Sequence, residues 1–190
     1  MKVILPLLFL FLISPYLLMA HGSHGSGFMA GFTHPIFGLD HNLAILATGM
    51  FAYLLDSKKW FWYPLAFLAF MIIGGYLGIG QEVPTWIEKV IAGSVLVLGT
   101  SIGLSMKSGA IPALLLLAGF GFFHGFAHGC EMPADTTAFK YISGFSVGTI
   151  VMSFLGVAIA KFLSHKAVNP QFLKFLGGII AGIGLYFLLG

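Results

Sequence analysis

Residues 110–129 read AIPALLLLAGFGFFHGFAHG, a charge-free run that closes on two histidines four positions apart, His124 and His128. In helical form about 20 apolar residues span ~30 Å, the thickness of a bilayer's hydrocarbon core. The run therefore reads as a membrane-crossing helix, and its end carries side chains that hydrocarbon does not tolerate without a purpose. Working outward, five further apolar segments of similar length lie near 35–55, 60–80, 86–106, 139–163 and 171–189. Backbone polar groups in lipid must be satisfied within the segment, and none of these runs alternates with period two, so helices are expected rather than barrel strands.

The whole chain agrees with that reading. Its 190 residues are 58% hydrophobic and 8% charged, too little polar surface to coat a water-soluble globule. The expected fold class is all-α: a polytopic transmembrane helix bundle of six helices after an N-terminal signal peptide. Residues 1–20 carry Lys2, an apolar stretch from Val3 to Leu18 and the ending Leu18-Met19-Ala20, which reads as the signal peptide. A retained N-terminal helix is the alternative, opposed by the segment's shortness and by Pro6 and Pro15. Residues 21–33 form a His-containing outer tail. Cleavage after Ala20 would leave His21 at the mature N-terminus, where its α-amine and imidazole can chelate a metal together; His24 lies in the same tail.

Charge placement orients the bundle. The nine Lys are scattered, there is no arginine and the net charge is +3; without a basic run, nucleic-acid binding is not expected. With the mature N-terminus outside, Lys58, Lys59, Lys107, Lys161, Lys166 and Lys174 face the cytoplasm, and Lys89 and Lys140 the outside. The single cysteine, Cys130, excludes an intrachain disulfide. The pairs Gly74/Gly78, Gly99/Gly103, Gly121/Gly125, Gly144/Gly148 and Gly178/Gly182 place small residues one turn apart. They favour close helix packing and are equally compatible with a homo-oligomer joined through Gly-xxx-Gly faces.

With this topology Asp40, Glu82, Glu88, Glu131, Asp135 and every histidine except His165 fall on or near the outer side. His34, Asp40 and His41 open the first mature helix, where a continuous helix would put His34 and His41 two turns apart on one face. His124, His128 and Glu131 share one stripe at the end of the fourth. Because the first helix runs inward and the fourth outward, both clusters reach similar depth, and Glu88 at the outer start of the third helix can join them. Imidazole with carboxylate suits nickel, cobalt, zinc or copper better than calcium or magnesium, which prefer oxygen alone. Cys130 lies off the stripe and reads as a bystander. Glu82 and Asp135 attract cations from the loops. Met50, Met71, Met106 and Met152 offer thioethers along a path, although membrane methionine usually packs.

The motifs His34-Pro35 with Gly38-Leu39-Asp40-His41, Glu88 ahead of Ala92-Gly93-Ser94, and His124-Gly125, Ala127-His128-Gly129 and Glu131 before Pro133 resemble those of the HupE/UreJ family of nickel permeases. The resemblance extends over essentially the whole chain. It implies a six-helix transport domain over 34–190 in the inner membrane, with no prosthetic group and no enzymatic activity. Nickel or cobalt would be imported to supply hydrogenase or urease maturation. The family pattern commonly carries a histidine at the position of Ser153, so an inward route here must rely on hydroxyls, thioethers or carbonyls. The expected metal set is His34, Asp40, His41, His124, His128 and Glu131, with Glu88 and His21 as further candidates. No Gly-x4-Gly-Lys-Ser/Thr motif is present, so energy must come from the membrane potential, an ion gradient or a partner. The rival expectation is an intramembrane zinc-dependent hydrolase, since three histidines and a carboxylate can equally hold a zinc that activates water.

Overall fold

The computed structural model of the chain describes residues 27–165, 169 and 171–190. The expected signal peptide, His21, His24 and Lys166 lie outside the described residues. Among those described there are seven helices: α1 (Phe28–Phe37), α2 (Leu39–Leu55), α3 (Trp62–Gly78), α4 (Thr85–Gly103), α5 (Ala110–Cys130), α6 (Ala138–Leu163) and α7 (Gln171–Leu189). Helices α4 to α7 are long and apolar enough to cross a membrane, and α2 and α3 are shorter apolar helices of 17 residues each. The chain is a multi-pass helical membrane protein.

The expected segment 35–55 is divided. Gly38 sits in an extended conformation (φ −71°, ψ 110°) between α1 and α2. Glycine holds a helix poorly, and the break falls at Gly38 and not at Pro35, which lies inside α1. The Gly38 N–H closes α1 on the His34 carbonyl at 3.2 Å. His34 and His41 therefore do not share one helix face. They belong to two helices joined at a corner, and α1, at 10 residues, is too short to cross a bilayer.

Helix α2 runs through the middle of the bundle, with every residue from His41 to Ala52 buried. Lipid tails are as apolar as leucine, so helices in lipid associate by close packing and not by hiding apolar surface. The glycines supply that packing. On the α3/α5 contact Gly74, Gly121, Gly125 and Gly129 press on the carbonyls of Phe122, Phe67, Met71 and Gly75. Gly31 and Gly144 lock α1 onto α6, Gly49 and Gly156 lock α2 onto α6, and Gly99 and Gly177 join α4 to α7. Gly178 and Gly182 differ, since a Cβ at either would point into open space. Large apolar side chains such as Leu65, Ile111, Leu115, Phe154 and Phe175 stand exposed on the outside of the bundle, where lipid would cover them.

Candidate metal centre

The corner at Gly38 brings the last turn of α1 and the first turn of α2 against the C-terminal end of α5. His34 comes from α1, Asp40 and His41 from α2, His124 and His128 from α5, and Glu131 is the residue that caps α5. The two sequence clusters, some ninety positions apart, meet in one place. The imidazole centroids of His128 lie 4.7 Å from His34 and 4.6 Å from His41. His41 lies 5.1 Å from His124 and 6.5 Å from His34.

The hydrogen bonds sort the ring nitrogens. His41 gives both its backbone N–H (2.8 Å) and its Nδ1–H (2.9 Å) to Asp40 Oδ1. His124 gives its Nδ1–H to the Phe120 carbonyl at 2.8 Å. A carboxylate and a carbonyl can only accept, so each ring carries a proton on Nδ1, and in the neutral ring that leaves Nε2 as the free acceptor. Both Nε2 atoms are buried with no hydrogen-bond partner, as are both nitrogens of His128. Buried polar atoms are rarely left this way in a folded protein. His34 gives its Nε2–H to Glu131 Oε2 at 2.8 Å.

Exposure falls steadily across the cluster. The side chains of Glu131 and His34 are 39% and 34% exposed, Asp40 26% and His41 8%, while His124 and His128 are 0% exposed. Donor atoms of His34, His128 and Glu131 lie within 4.8 Å of one another, which among the described residues makes this outer trio a group whose spacing could hold one ion. His41 and His124 lie deeper, and His128 borders both groups. At Glu131, burial pushes the carboxyl up, but the His34 hydrogen bond together with the positive charge of His34 and His41 outweighs it and holds the group below its ordinary range.

Glu88 stands exposed in the first turn of α4, near enough for its charge to act on His41. Cys130 is a half-buried free thiol outside the outer trio. Three aromatic residues were not legible as part of the site. Phe145 stacks on His128 at 5.5 Å, Phe67 packs against His124 at 5.3 Å, and Tyr141 lies 6.1 Å from His34 with a buried hydroxyl that has no partner. They hold the imidazoles in place through apolar walls, and nothing in their spacing distinguishes them from ordinary packing residues.

No solved structure matches the chain. Protein HupE of Rhizobium leguminosarum bv. viciae is 34% identical over 177 residues, covering 93% of this chain and 92% of that protein. The family described as HupE / UreJ protein matches residues 8–187, and it is a family of transporters and not of enzymes. The chain belongs to the HupE/UreJ family.

Proposed function

We propose that the protein imports nickel, or cobalt, across the inner membrane. The reading takes residues 1–20 as a signal peptide, 21–33 as an outer segment whose end already forms the start of α1, and 34–190 as the transport domain, with six spans and the mature N-terminus outside. Helix α1 then dips into the outer leaflet without crossing. Hydrogenase or urease maturation would be the destination of the ion.

The carrying observation is the pair of buried, unpartnered Nε2 atoms on His41 and His124, each ring backed by an acceptor at Nδ1. That arrangement is how metal-binding imidazoles are held, because the acceptor fixes the tautomer and strengthens the ligand. The rings are neighbours, with the His41 centroid 5.1 Å from His124 and 4.6 Å from His128.

The ion first meets Glu88, Glu131 and Asp40, whose charge concentrates cations at the mouth. It then takes the place of the hydrogen bond between His34 and Glu131, His34 giving its Nε2 proton to solvent and taking one up on Nδ1, and moves through His128 towards His41 and His124. Self-association, if the protein uses it, would fall to Gly178 and Gly182, the pair left open. The hydrolase reading has no observation in its favour.

Cells lacking their own nickel uptake test the proposal. Expressing this chain should raise their nickel or cobalt content well above that of control cells, with little change in zinc. No accumulation from a well-expressed protein would contradict it. Acid should oppose uptake, because protonated imidazole cannot bind metal, so rates should fall as external pH drops through about 6. Glu131, held below its ordinary range, stays ionised there and is not the source of the loss. A rate independent of pH between about 7 and 5 would contradict a role for imidazole ligands.

A further inference from the structure

Five hydroxyl side chains lie buried in the helices below the histidines: Thr48, Ser94, Ser101, Thr149 and Ser153. A serine or threonine inside a helix ordinarily gives its proton to a carbonyl of the preceding turn. Ser94 does so to Ile91 at 2.6 Å and Ser101 to Val97 at 2.8 Å, as does Ser146 on α6 to Ile142 at 2.7 Å. The other three depart from that habit. The hydroxyls of Thr48 and Ser153 are buried with no hydrogen-bond partner, and Thr149 donates to the sulfur of Met71 at 3.3 Å, a weak acceptor.

These three fall in order along one direction. Thr149 follows Phe145, the residue stacked on His128, by one turn of α6, which is ~6 Å deeper. Ser153 lies a further turn down. Thr48 follows His41 by two turns of α2 on the same face, ~10 Å deeper. The Gly49 backbone presses on the Ser153 carbonyl, which puts Thr48 and Ser153 at one level. Met71 arrives from α3, its own carbonyl against Gly125, next to His124.

We propose that Thr149 with Met71, and below them Thr48 with Ser153, form a weak inner binding site that receives the metal ion from the histidine cluster. The inference rests on the reading of that cluster as the outer site. Neutral hydroxyls and a thioether hold a divalent ion more loosely than imidazole and carboxylate, and conduction needs a site the ion can leave. A thioether also tolerates borderline ions such as nickel and disfavours magnesium or calcium, so the inner site adds a second filter. The unspent hydroxyls give the ion oxygen donors that no helix carbonyl has claimed.

The test uses the purified full chain, with nickel binding measured by calorimetry and nickel entering chelator-loaded proteoliposomes measured as an initial rate. In the Thr149→Val/Ser153→Ala and Thr48→Val/Met71→Leu variants, the rate should fall about tenfold or more while nickel affinity stays within about twofold of wild type. Thr149→Ser, which keeps the hydroxyl, should transport like wild type. Unchanged rates in both double variants would overturn the inner site and leave the outer one standing. A parallel fall of affinity and rate would also overturn it, because the hydroxyls would then be supporting the histidines. A wild-type protein that bound no nickel would sink the outer-site reading and this inference with it.

Discussion

The double variant His41→Ala/His128→Ala is expected to lose nickel affinity by more than about 100-fold and to take up no nickel above background. Loss of a residue that only orients a metal ligand already weakens binding by about 10- to 100-fold, and here two ligands go at once. The choice of residues follows from position. His128 borders both the outer trio and the deeper pair, and His41 carries the Asp40 bond that fixes its tautomer. The metal-free variant should remain folded. Both nitrogens of His128 are buried without partners, so its removal relieves an unpaired polar group even as it opens a cavity. Calorimetry on the purified variant, with a thermal melt as a check on folding, decides the matter. Wild-type affinity in a folded double variant would remove these two residues from the site.

The second large effect concerns the frame that holds α5. A Cβ at Gly125 would run into the Met71 carbonyl, and backbone cannot rotate aside as a side chain can. Gly125→Ala must force α3 and α5 apart between His124 and His128, at a cost of roughly 1–3 kcal/mol. For a chain of this size that lowers the melting midpoint by about 3–10 °C, and nickel binding should weaken with it. Gly178→Ala is the matched control, since its Cβ meets open space; its midpoint should stay at or slightly above that of wild type. Equal midpoints for the two variants would contradict the packing described here.

The apolar segments were legible as helices because each is a long, largely uncharged run bounded by polar turns; four of the resulting helices are long and apolar enough to cross a membrane and two are shorter. The run read over 110–129 forms a helix over Ala110–Cys130, and the run over 171–189 is α7. Helix α1 was not legible, because Phe28–Phe37 is apolar, short and continuous with the next segment, so hydropathy alone does not show the corner at Gly38. The meeting of the two histidine clusters could be anticipated from the opposed directions of their helices. The route to it differs, however, with His34 reaching the site from α1 and not from two turns above His41. Of the five glycine pairs, Gly178/Gly182 looks the same in sequence as the four that are used within the bundle. Which glycine meets a carbonyl depends on the partner helix, and a single helix's spacing does not contain that information. Tyr141, Phe145 and Phe67 escaped for the same reason, as each is an aromatic residue in an apolar helix until the histidines are placed beside it.

X-ray absorption at the nickel edge of the purified, nickel-loaded protein tests the central claim most directly. The account predicts a first shell of oxygen and nitrogen at about 2.0–2.1 Å, with the outer-shell scattering of at least two imidazoles and no sulfur in the dominant site. An oxygen-only shell, or one containing the Cys130 sulfur, would contradict it.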